Sequence, residues 1–504
     1  MSEMDACIAY TASGAVRGER GDGVYIWRGL PYAAPPAGEK RFKKPEPAEP
    51  WEGIREAVSF GPSCPQTQRT KGREEIKAMD EDCLTLNIWS PAADGEKRAV
   101  LFYIHGGSFV EGSGCDAEYE GTNLVRAGDV VLVTINYRLG LFGFMDFSFL
   151  GEGFTPNPGL WDIIAALGWV SENIGAFGGD PDNVTLCGQS AGASCVCLLA
   201  GADEARGYFR RAIMMSAVPN LLHSKTQAEK IGRSFLRFMG ITGAETLMSA
   251  SAEGMAARQA EFAQQSGLGT TTFAPCLDGA LVKQYPISAA SEGNMRGVAM
   301  LIGTTREEMS FALRKSLSHI VDIENIRKRA VESEQDDVRA RIREAYERYG
   351  ERGPGIMFSD FTFRMPSVWF AEAQSKNADT WMYRFDYETL GMRVSKLHAF
   401  HSCDIPFLFG NMRAGLARYM FMLAPDKRGV RELHAEFMGD FLEFMKTGSL
   451  PWRRCGGDDV PAKCYGRPSV IEQAVPEDVR KTYDDTGFKK SCISGEGVDF
   501  PLNI

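Results

Sequence analysis

Residues 98–107 read RAVLFYIHGG, a short continuous apolar run closed by glycines. A strand with one wet face would alternate apolar and polar residues. An unbroken run predicts a strand buried on both faces of a parallel sheet. DVVLVTINYR at 129–138 repeats the pattern, and shorter runs recur at 184–186, 211–217, 297–305 and 380–386. Helical patterns lie between them. In GLWDIIAALGWVSENIGAFGG (159–179), Ile163, Ile164, Leu167, Trp169 and Val170 form a broad apolar face closed by glycine. Strand and helix in alternation predict an α/β chain whose mostly parallel sheet is covered on both faces.

Two stretches break this rhythm. Residues 224–290 and 320–375 are helical, charged and poor in strands; within 327–350, Val338, Ile342 and Tyr346 give one apolar stripe among charges. They read as insertions that roof the sheet. Length alone would allow about three domains, yet large α/β enzymes run longer as one unit, so residues 1–504 are expected to form a single domain. The first 60 residues are rich in Gly and Pro and read as extended chain and turns, with the charged run Lys40–Lys44 as a solvated face.

The stretch TLCGQSAGASCV (185–196) sets a G-x-S-x-G motif between a predicted strand and a predicted helix. The motif alone is weak; that placement is what a nucleophile elbow requires. Side chains at Gly188 and Gly192 would clash with neighbouring strands, and the following helix aims its first N–H groups at Ser190. A serine hydroxyl needs a base. Of the six histidines (105, 223, 319, 398, 401 and 434), His401 in AFHSCDIPFLFG is the best candidate, with His398 a rival that the pattern does not separate. Oxyanion donors are expected from the backbone of Gly107 and Ser108, in the strand-ending YIHGGSF, and of Ala191.

Composition excludes several other classes. A net charge of −10 argues against a nucleic-acid or anionic-membrane partner. The first residues carry neither a basic nor an apolar leader pattern, and no window approaches a membrane span, so a cytoplasmic protein is expected. Twelve cysteines in 504 residues are too sparse for a disulfide scaffold. Cys187, Cys195 and Cys197 read as small apolar filler, because residues two apart on a helix do not face one metal. HExxH, P-loop, dinucleotide and deaminase signatures are absent, so no metal and no cofactor is expected.

RGLPYAAPPAGEKRF, EDCLTLNIW (81–89), YIHGGSF, NYRLGLFGF (136–144), the run from NPGLWDIIAALGWVSENIGAFGG to GQSAGAS, and FHSCDIPFLFG together resemble the type-B carboxylesterases. These belong to the carboxylesterase/cholinesterase family of α/β-hydrolases, and the likeness is greatest to bacterial para-nitrobenzyl-esterase-like members. The resemblance implies an α/β-hydrolase fold and a cofactor-independent serine esterase acting on neutral acyl and aryl esters through an acyl-enzyme. It implies a monomer or small homo-oligomer whose partner is a small-molecule ester. It assigns the base to His401 and the acid to Glu308 in IGTTREEMSF, with Glu307 the lesser alternative, giving the chain order Ser190, Glu308, His401. Ser216 matches a supporting family serine, and Cys64 and Cys83 match the family's first disulfide loop, expected mostly reduced in the cytoplasm. That loop carries no aromatic residue, so a choline-stacking site is not expected. The chain departs from the family pattern at Gln189 (usually Glu), Met309 (usually Gly), Ile163 (usually Gln) and Lys40. The same triad could serve an amide, carbamate or thioester, and a non-catalytic binding module is the alternative outside enzymes.

Overall fold

The structure, a computed structural model, describes residues 7–67, 78–311, 334–415, 417–422, 426–484 and 486–495. His319, residues 320–333 of the second expected insertion and most of the loop between Cys64 and Cys83 lie outside the described residues.

An eleven-stranded sheet carries the fold. From one edge it runs β14 (Val470–Gln473), β13 (Pro461–Tyr465), β12 (Thr380–Phe385), β11 (Ala299–Thr305), β10 (Arg211–Met215) and β9 (Gly179–Gln189). It continues through β7 (Arg98–Ile104), β8 (Val131–Ile135), β6 (Thr85–Ser90), β4 (Val24–Pro31) and β3 (Glu19–Gly21). Neighbours from β13 to β8 are parallel, and the strands beyond them are antiparallel additions at the two edges. β1 (Ile8–Thr11), β2 (Gly14–Arg17) and β5 (Ile54–Glu56) make a separate small sheet. The sheet is mostly parallel and helix-flanked, as the resemblance to the α/β-hydrolases implies.

Alternation along each central strand feeds two cores. Val100, Phe102 and Ile104 of β7 enter one, and Leu101 and Tyr103 the other. Helices Pro158–Asn173 and Ala191–Ala200 cover the first face, and Lys427–Thr447 covers the second through Phe437, Phe441 and Phe444. Burial on both faces is what the unbroken apolar runs record. Register then decides where chemistry can sit. Ile104 pairs with Gly188, Gln189 with Met215, and Met215 with Gly303. The C-terminal ends of β7, β9, β10 and β11 are therefore level, and the loops that follow them meet on one rim.

The N-terminal region holds more structure than its Gly and Pro content suggests. β4 contains Gly29 at φ +66° and Pro31, both turn signals, yet it pairs with β6 across an irregularity between Trp27 and Leu30. β6 hides its polar residues in the sheet: Asn87 accepts from the Gly29 N–H at 3.0 Å and donates to Thr134 Oγ1 at 3.1 Å. The charged run Lys40–Lys44 is not one solvated face. Arg41 and Phe42 are buried, and Arg41 makes paired 2.6 Å bonds to Glu81 while donating to the carbonyls of Met248 and Ala250. A planar guanidinium can satisfy a carboxylate and helix-end carbonyls together, which is how a charge in that run comes to be inside.

Candidate active site

β9 ends at Gln189 and the next helix begins at Ala191, so Ser190 takes the whole turn. It sits at φ 57°, ψ −123°, a conformation non-glycine residues hold only when their surroundings enforce it. Its N–H donates to the Met215 carbonyl at 2.8 Å, and its carbonyl accepts from the Ser194 N–H at 2.9 Å. A Cβ at Gly188 would overlap the Gly192 backbone, and one at Gly192 would overlap the carbonyls of Ile104 and His105. Both glycines are thus fixed by close approach of backbone to backbone.

The loop after β7 lies against this turn. A Cβ at Gly106 would come within 3.0 Å of Ser190 Cβ. Gly107 has φ +121°, and its carbonyl accepts from the N–H groups of Val110 and Glu111 at 3.0 and 3.1 Å, folding the loop back on itself. From behind, Tyr137 Oη donates to the His105 carbonyl at 2.8 Å. The N–H groups of Gly107, Ser108 and Ala191 make no hydrogen bond among the described residues.

Glu308 follows β11 and is fully buried. Three donors converge on its carboxylate: His401 Nδ1 at 2.6 Å on Oε2, and Ser216 Oγ at 2.7 Å with the Thr305 N–H at 2.6 Å on Oε1. These bonds make a buried ionised carboxylate tolerable. With its proton on Nδ1, His401 presents Nε2 as an acceptor. Gln189 Nε2 meets it at 3.2 Å and also donates to Ser402 Oγ at 2.8 Å. No hydrogen bond joins Ser190 Oγ to His401 among the described residues, where the Gln189 amide meets Nε2. Phe363 lies against the imidazole, ring centroids 4.9 Å apart, and Met309 is buried in a small apolar cluster with Phe358 and Phe363.

Gln189 is therefore a contact of the His401 imidazole. Gln189→Glu would set a carboxylate, which only accepts, where the amide N–H now meets Nε2.

The alternatives are held apart from this pair. His398 binds Glu388 Oε2 at 2.8 Å through Nδ1, and Glu307 pairs with Arg352. Phe363 and Arg352 were not anticipated. Both sit in the stretch 334–375, which shows no periodic signal around DFTFRMPS, and neither contact is local in sequence.

Asp404, fully buried three residues after His401, accepts from Tyr383 Oη at 2.8 Å. Burial, then the charge of Glu308, pushes its carboxyl up to about 6. A folded pKa above the unfolded value gives stability that is full below about 4 and lost as pH rises through about 6. Asp404→Asn removes that dependence. Its apparent melting midpoint should gain on wild type between pH 4 and 7, by the equivalent of roughly 2–3 kcal/mol at most. Parallel midpoints across that range would exclude it.

Cys187, Cys195 and Cys197 are buried free thiols whose ionisation burial opposes. Cys64 and Cys83, expected mostly reduced, are instead joined as a disulfide, their Cα atoms 5.0 Å apart. Asp386, Cys464 and Glu472 offer ligand atoms within 4.8 Å of one another, but Arg384 already pairs with both carboxylates. A guanidinium fills the place a cation would take.

A family model described as the carboxylesterase family matches residues 5–463. The chain is 37% identical to para-nitrobenzyl esterase of Bacillus subtilis over 448 residues, covering 88% of this chain and 90% of that one. It is 31% identical to phenmedipham hydrolase of Pseudarthrobacter oxydans, again covering 88% and 90%. A crystal structure of a Geobacillus stearothermophilus carboxylesterase superposes with a TM-score of 0.83 at 35% identity, over 95% of this chain and 100% of that one.

Proposed function

The chain belongs to the carboxylesterase family and cleaves carboxylic esters as a serine hydrolase; on that premise we propose that Ser190 is its nucleophile, His401 its base and Glu308 its acid. The observation that carries the assignment is the 2.6 Å bond from His401 Nδ1 to a buried Glu308, beside a serine held at positive φ on a strand-to-helix turn. As substrate enters, the Gln189 amide yields the Nε2 lone pair. Ser190 Oγ then attacks the ester carbonyl carbon while Nε2 takes its proton. The carbonyl oxygen becomes an oxyanion, received by the N–H groups of Gly107, Ser108 and Ala191, each such donor being worth about 3 kcal/mol. The C–O bond to the alcohol breaks as Nε2 returns the proton to the leaving oxygen. Water, deprotonated by the same nitrogen, attacks the acyl-enzyme; Ser190 leaves with that proton and the acid product forms.

Phe363, Phe358 and Met309 give the neighbourhood of His401 an apolar character, which supports neutral acyl and aryl esters as the substrate class. No helix among the described residues is long and apolar enough to cross a membrane. A fluorophosphonate probe followed by peptide mapping tests the assignment. Labelling of the native protein at Ser190 is expected. A native protein that stays unlabelled would make the chain a non-catalytic binder, and labelling elsewhere would move the nucleophile.

A further inference from the structure

We infer that Arg352 is a positioning residue for the Glu308–His401 pair: its guanidinium ties the acid-bearing turn to the base-bearing loop through Glu307, Glu388 and His398. The inference rests on the triad proposed above. Three stretches of the chain, at Glu307, at Arg352 and from Glu388 to His398, meet in this chain of charges. Arg352 ends the short turn Gly350–Arg352. It pairs with Glu307 and lies 3.5 Å from Glu388 Oε1. The other oxygen of Glu388 binds His398 Nδ1 at 2.8 Å. Glu307 is the neighbour of Glu308, and His398 lies three residues before His401. Both ends of the charge chain thus sit one short step from a triad member.

The same two segments are also stitched through their backbones. The Glu307 N–H donates to the Ala399 carbonyl at 2.9 Å, and the His401 N–H to the Glu308 carbonyl at 3.3 Å. Ser310 Oγ donates to the Leu397 carbonyl. What this seam lacks on its own is charge balance. The Glu307 side chain is 2% exposed and the next residue, Glu308, is fully buried, so two consecutive carboxylates are withdrawn from water. Arg306 is turned elsewhere, 3.8 Å from Asp386, and Glu307's ion-pair partner among the described residues is Arg352. Without the guanidinium, Glu307 must take up a proton or swing toward water, because an unpaired buried charge is strongly unfavourable. Swinging out drags Glu308 and lengthens its bond to His401. Misplacement of a catalytic pair by a fraction of an ångström acts on kcat far more than on substrate binding.

The experiment is steady-state kinetics of the full chain on a para-nitrophenyl ester, with kcat expressed per active site titrated by fluorophosphonate. Unfolded protein then drops out of the measurement. Arg352→Ala should lower kcat about tenfold with KM within about twofold of wild type. Arg352→Lys, which keeps the cation, should recover to within about threefold. Adding Glu307→Gln to Arg352→Ala should restore part of the loss, since the neutral amide needs no counterion, and this non-additivity is the signature of a shared interaction. Should Arg352→Ala yield too little folded protein, Glu388→Gln replaces it, with a threefold loss of kcat expected. An unchanged kcat in either variant, a loss carried by KM, or a lysine variant no better than alanine would each overturn the inference. An unlabelled wild-type Ser190 would instead strike at the triad, so the two failures are distinct.

Discussion

Ser190→Ala is expected to lower kcat for para-nitrophenyl ester hydrolysis by about a million-fold, the order lost when a triad nucleophile is removed. What would survive is binding and the proposed oxyanion donors at Gly107, Ser108 and Ala191, which would act on an attacking water as on a serine. The substitution should leave the fold alone. It deletes only Oγ, which makes no bond among the described residues, while the bonds that hold the turn use the backbone N–H and carbonyl of residue 190. Alanine meets the same positive φ as serine, so the strain of the turn is kept. Circular dichroism and the melting midpoint should therefore match wild type, and the comparison isolates chemistry. Retention of more than a tenth of wild-type activity in carefully separated enzyme would remove Ser190 from the mechanism.

The elbow was legible in sequence because everything that makes it is local. A strand, a G-x-S-x-G turn and a helix lie within 22 residues, and the glycines report backbone approaches that no side chain could share. The central strands were legible for a related reason, since burial on both faces leaves an unbroken apolar run. Legibility fails where a residue's partner is distant. His401 and His398 share one loop and differ by whether Glu308 or Glu388 stands opposite, which only the level register of β11 and β12 decides. Residue pattern alone does not separate them; it is the resemblance that implies His401. Arg41 looked like one more surface charge, because its carboxylate is Glu81 and its carbonyls come from residues 248 and 250. Edge strands escaped for the opposite reason: β14 is exposed along its whole length, so no apolar period marks it.

Glu308→Gln should lower kcat by about ten-thousandfold, whereas Glu307→Gln should cost at most about tenfold. The argument lies in how many donors each carboxylate must satisfy. Glu308 accepts from His401 Nδ1, Ser216 Oγ and the Thr305 N–H, and offers nothing in return. An amide has only one acceptor oxygen. If that oxygen faces Nδ1, the amide N–H groups confront the Thr305 N–H, two donors opposed in a fully buried site. If the amide turns, its N–H faces the imidazole, which must then carry its proton on Nε2 and cannot take one from Ser190. Either orientation damages the base, and the second abolishes it. Glu307 faces no imidazole. Its loss as an ion acts only through Arg352, whose charge is still held by Glu388. The two variants thus share an element, a burial and a change of one charge, yet differ in which atom meets His401. Measured side by side at the pH of maximal activity, equal losses would undo the choice of Glu308, and a larger loss at Glu307 would reverse it.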